Sequence, residues 1–146
     1  MISIGVFRKA MHQIAAKRGD LTLFALFKRA NGLGRWDLVA SAPWLEGGTL
    51  KGRSELVDLL AKSMGRRRLS ELARVETIPS DDPTVKSILD SLPVDDDDAE
   101  RRIQNADYFG LQIDEAIILR AKRPERKRPA RKAVQPAGAG ASRQRG

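Results

Sequence analysis

The sequence predicts a single small α+β domain of about five strands and three to four helices, with a disordered basic tail behind it. Three observations point there. Apolar residues first recur at helical spacing and then run almost without interruption, so a helix gives way to a buried strand. A glycine-containing cluster at 31–34 joins that run to a second one, which predicts a β-hairpin over 21–42 in a mixed or antiparallel sheet. The charge imbalance of the chain sits in its last stretch, where little apolar surface remains to be buried.

Taken in order, Phe7, Ala10, Met11, Ile14 and Ala15 mark one face of an amphipathic helix, with Lys9, Gln13, Lys17 and Arg18 on the other. Gly19 suits the position that ends it. Leu21 to Arg29 is too apolar for simple alternation and reads as a strand buried on both faces. Asn31-Gly32-Leu33-Gly34 tolerates positive φ and turns the chain. Trp36 to Ala42 is then the second strand, stopped by Pro43. Leu50, Leu56, Val57, Leu60 and Met64 keep helical spacing; Arg66-Arg67-Arg68 interrupts it, and Leu69 to Ala73 reads as a further short helix. Val75 to Ile78 is a short strand. Asp82-Pro83 starts a helix, the carboxylate capping free amides and the proline preset for the first turn, and Pro93 stops it after Leu92. Asp95 to Asp98 forms an acidic loop. Arg101 to Asn105 and Glu115 to Ala121 are the last two strands, around a turn region at Tyr108-Phe109-Gly110.

These boundaries predict a globular body at 1–122 and a tail at 123–146. The tail begins a region of extreme charge: Arg120 to Gly146 holds ten Lys/Arg against Glu125 alone, whereas the first 119 residues hold 17 Lys/Arg and 18 Asp/Glu. The formal net charge of +8 therefore belongs to the C-terminal run and not to the body. Cysteine is absent, which excludes disulfides, a thiolate nucleophile and cysteine-bound zinc. His12 is the single histidine, so multi-histidine metal sites are excluded too, and it reads as a helix-surface residue. No secretory leader and no membrane span are recognisable, so no membrane partner and a cytoplasmic location are expected.

Arginines and lysines displace counterions from phosphate backbones, so the tail points to DNA or RNA as partner. The binding residues expected are Lys122, Arg123, Arg126, Lys127, Arg128, Arg131 and Lys132, joined by Arg66, Arg67 and Arg68 on the body. The tail lacks aromatics for base stacking, which predicts weak sequence preference. The expected function is that of a non-enzymatic binding or accessory protein, without catalytic residues, cofactor or resident metal. Asp95 to Asp98 lacks the glycine and the closing glutamate of an EF-hand and reads as a solvated run that could fold against the basic tail. Gly32-Leu33-Gly34 completes neither G-x-G-x-x-G nor a P-loop.

Two alternatives remain open. One is a divergent phosphoryl-chemistry enzyme using Asp37 with Glu46 or Asp82. The order helix, strand, glycine-containing loop, strand with an aspartate, helix, strand resembles the layout of minimal polymerase-beta-type nucleotidyltransferases over Leu23 to Ser41. The sequence departs from that pattern: Leu26-Phe27 stands in the region of the Gly-Ser, and Val39 where a second aspartate belongs. A single carboxylate does not hold two metals, so the layout implies a domain that has lost the activity. Asp37 on its own reads as a strand-entry residue. The other alternative is a protein–protein accessory module with an incidental tail, using an exposed strand or the flanking Trp36 and Trp44, which otherwise cap the core at the strand ends.

Overall fold

A computed structural model describes residues 3–95 and 99–123. Four helices and five strands follow the chain in the order α1 (Ile4–Arg18), β1 (Leu23–Arg29), β2 (Trp36–Ser41), α2 (Leu50–Met64), α3 (Arg66–Leu69), β3 (Leu72–Thr77), α4 (Pro83–Ser91), β4 (Arg101–Tyr108) and β5 (Leu111–Ala121). The α+β class, the mixed five-stranded sheet and the hairpin within 21–42 are as the sequence predicts.

The strands lie in the order β3-β2-β1-β5-β4. β1 pairs antiparallel with β2 and with β5, and β5 antiparallel with β4. β2 and β3 are parallel, because α2 and α3 carry the chain back along the sheet before β3 begins. β1 is the middle strand, and its residues from Leu23 to Phe27 are all at most 2 % exposed. Its near-continuous apolar sequence is the consequence of burial on both sides.

One face packs Phe24, Leu26, Leu38, Ala40, Ile117 and Leu119 against the apolar stripes of α1 and α2. The opposite face packs Leu23, Ala25, Val39 and Ile118 with Val85, Ile88 and Leu89 of α4. The helix ends obey local chemistry. Ser3 caps α1 by accepting from the Val6 amide, and Gly19 closes it with N–H donation to Ala15. Asp82 caps α4 through the Thr84 amide at 2.8 Å, with Pro83 in the first turn.

Two local expectations need correction. The short helix expected over Leu69 to Ala73 lies earlier, at Arg66–Leu69, and Leu72 already opens β3. Leu72 and Val75 both enter the core beside α2, because the register shift between Trp36 and Asp37 in the β2–β3 pair breaks simple alternation at the start of β3. The last two strands are also longer than expected, meeting at the two-residue turn Phe109-Gly110. Both turn residues have positive φ, 57° and 75°, the geometry that matches strand twist in tight hairpins. A phenylalanine there costs about 1 kcal/mol. Its ring recovers contact by lying 6.1 Å from that of Phe27, beside Tyr108 stacked at 5.6 Å.

Gly52 shows where backbone meets backbone. A Cβ at this buried position in α2 would stand 1.9 Å from the carbonyl oxygen of Glu46. Helix propensity alone favours Gly52→Ala by about 1 kcal/mol. The clash reverses the sign, and the variant is expected to lose more than about 1 kcal/mol in urea unfolding. A gain in stability would show that the 46–52 loop yields freely.

Candidate nucleic-acid interface

The expected binding residues separate into two places. At the end of β5, Ala121 exchanges two backbone hydrogen bonds with Val94, at 3.0 and 2.9 Å, while Lys122 donates its amide to Thr22 at 2.9 Å. The start of the basic run is thereby gripped between the entry of β1 and the segment after α4. Arg120 donates to the Asp95 carbonyl at 3.4 Å, and Arg123 forms an exposed ion pair with Asp90 of α4. Arg126, Lys127, Arg128, Arg131 and Lys132 lie outside the described residues, as do Asp96 to Asp98.

Arg66, Arg67 and Arg68 are all exposed on α3. They stand at the other end of the sheet. Leu72, just after α3, pairs with Trp36 at the start of β2, whereas Lys122 sits by Thr22, whose amide bonds to Ser41 at the end of β2. The length of a strand separates the two groups, about 20 Å at roughly 3.3 Å per residue. The structure does not bring the arginine triplet and the root of the basic run together.

The carboxylates singled out from the sequence are equally dispersed in role. Asp37 stands at the entry of β2, as expected, and its side chain is buried there, 2 % exposed. Its Oδ2 accepts from Arg29 Nε at 2.6 Å and lies 3.7 Å from Arg74 Nε, while Arg74 also reaches Glu76 at 3.6 Å. Register places these groups: Asp37 lies opposite Phe27 on β1 and Arg74 on β3, and Arg29 is one residue pair further along the same face. Asp37 Oδ1 is buried with no hydrogen-bond partner in the structure. Glu46 is exposed and pairs with Lys51 at 3.4 Å, and Asp82 is committed to its helix cap. Among the described residues, no three His, Asp or Glu side chains are grouped so as to hold a metal ion.

A further set of cations, not singled out from the sequence, lines the groove between α1 and α2. The helices run antiparallel, with Arg18 paired to Glu55 and Ser63 hydrogen-bonded to Gln13. Lys17 and Lys62 border the open space, whose floor includes Ile14 and Leu59. The groove continues past Lys51 and Arg18 with a volume of about 470 Å³. Helical periodicity marks these lysines only as solvent-facing, and the helix pairing is what places them together. The tryptophans serve the fold. Trp44 donates its indole N–H to Gly19 O at 3.0 Å under the Arg18 guanidinium, and Trp36 packs at the other end with Lys28 5.6 Å from its ring centre.

On the outer side of α1, Glu100 accepts from Arg102 at 2.6 Å and from Arg8 at 2.8 Å. The hydrogen bond from Arg102, then that from Arg8, hold its carboxyl below the usual carboxylate range. A depressed carboxylate stabilises the fold above its unfolded pKa and loses that contribution as pH falls through the folded value. Glu100→Gln is therefore expected to lower stability by up to about 1 kcal/mol at neutral pH. The gap should close below about pH 4, in thermal melts at several pH values. A gap that stays constant on acidification would refute the assignment. For the Asp37 cluster, Arg29→Ala should cost about 3 kcal/mol, because it strands a buried carboxylate. Arg74→Ala, at the longer and more exposed contact, should cost under about 1 kcal/mol in the same urea titration. The reverse ranking would contradict the geometry.

Comparison of the chain with protein-family models, with curated proteins and with solved structures returned no match.

Proposed function

We propose that the protein is a non-enzymatic accessory module that binds nucleic acid electrostatically and with little sequence preference, through the basic run that starts at Lys122 and Arg123. The observation that carries this is the segregation of charge: ten Lys/Arg against one acid from Arg120 onward, behind a body that holds 17 Lys/Arg and 18 Asp/Glu. Phosphate contacts by such residues release condensed counterions from DNA and RNA alike, which needs no shaped pocket. A second observation supports the arrangement. The run leaves from a strand end fastened by backbone hydrogen bonds on both sides, so what it binds is tied to the folded body.

Arg66, Arg67 and Arg68 would act as a separate patch and not as a continuation of the same track, given their place at the far end of the sheet. No described helix is long and apolar enough to cross a membrane. The cysteine-free composition is compatible with a reducing cytosol, where disulfides are rare.

The test is fluorescence anisotropy of a labelled duplex and a labelled single strand over a range of salt concentrations. Engagement of five to seven phosphates is expected to give a log K against log salt slope of about −5 to −6 on the duplex. A chain ending at Arg123 should lose most of that slope and keep its melting temperature. A slope that survives the truncation would refute the proposal.

A further inference from the structure

We infer that a backbone phosphate of the bound nucleic acid sits in the α1–α2 groove between Lys17 and Lys62, an inference that rests on the nucleic-acid reading above. The two lysines border one groove from facing helices. Among the described residues, neither forms an ion pair, although the other cations along the groove do: Arg18 is held by Glu55 and Lys51 by Glu46. Asp20, three residues after Lys17, and Asp58, one turn before Lys62 on α2, are the acids nearest in sequence, and both stay beyond ion-pair distance. Two like charges along one groove repel each other, and an anion placed between them turns that repulsion into two attractions. Ile14 and Leu59 are 2 % and 8 % exposed, so the floor is apolar protein instead of water. A charge pair beside such a surface attracts more strongly than one in bulk solvent.

Position favours a nucleic-acid phosphate as the occupant. Lys17 and Arg18 close α1, and the chain from there reaches Thr22 within a few residues. Thr22 O accepts the amide of Lys122, so the basic run starts beside the end of α1 that carries the groove's cations. A polyanion drawn in by that run meets Lys17 first, and Lys62 lies further along the groove, in the last turn of α2 and four residues before Arg66 of α3.

The experiment compares three full-length chains on a labelled oligonucleotide across a salt series: the unaltered protein, Lys17→Ala/Lys62→Ala, and Arg66→Ala/Arg67→Ala/Arg68→Ala. All substituted lysines and arginines face solvent, and equal melting curves confirm intact folds. The lysine variant is expected to flatten the slope by about 1 and to weaken binding several-fold at low salt, with a smaller effect in the arginine variant. An unchanged slope in the lysine variant overturns the inference, and so does a larger loss in the arginine variant. Failure of the unaltered chain to bind any oligonucleotide refutes the nucleic-acid reading and this inference with it. Inorganic phosphate titrated alone, followed by NMR shifts at Lys17 and Lys62, then decides separately whether the groove holds an anion. Shifts abolished by Lys62→Ala would keep it as a free-phosphate site, and their absence would remove it as an anion site.

Discussion

Everything in this molecule is organised by the burial of β1 on both faces. A strand with α1 and α2 on one side and α4 on the other must be apolar at every position, and Leu23 to Phe27 satisfies that. Burial on two sides also demands two hydrogen-bonded neighbours, since an open edge in that position would leave backbone groups without water or partner. β2 supplies one side and β5 the other, and the remaining elements are placed by what those two need. The hairpin turn brings β2, the α2–α3 crossover adds β3 beyond it, and the Phe109-Gly110 turn ties β4 to β5.

The edges of this sheet are not inviting to another strand. β4 carries Arg101, Arg102 and Asp107 and is interrupted at Asn105, whose φ is 56°. Charge together with a local kink discourages edge-to-edge pairing. β3 is short, carries Arg74 and Glu76, and has carbonyls at its start occupied by Arg35, which donates to Ser70 O and Leu72 O. An accessory role through strand addition would have to work against these features. A role through the cationic surfaces works with them.

How far the sequence could be read depends on the range of each interaction. Elements set by near neighbours were legible: the α1 stripe, the doubly buried run of β1, the hairpin, and the α4 start at Asp82-Pro83. The Arg66–Leu69 helix was misplaced by a few residues, since Leu72 answers to a core that lies across the sheet and not to its own neighbours. The same applies to chemistry. That Arg29 and Asp37 form a buried pair follows from strand register, and Arg74 joins them only because β3 returns parallel to β2. Lys17 and Lys62 are unremarkable on separate amphipathic helices and become neighbours of one groove once those helices pack. The charge run at the C-terminus was visible at once because composition needs no fold.

The fastening of Ala121 and Lys122 has a mechanical meaning. β5 lies between β1 and β4, antiparallel to both, and its hydrogen bonds run across the strand axis. A pull on the chain beyond Arg123, applied along the axis of β5, would load those bonds together in shear. Peeling them one at a time would require an outer strand. Tension would thus be carried into the middle of the sheet, where two hydrophobic layers share it.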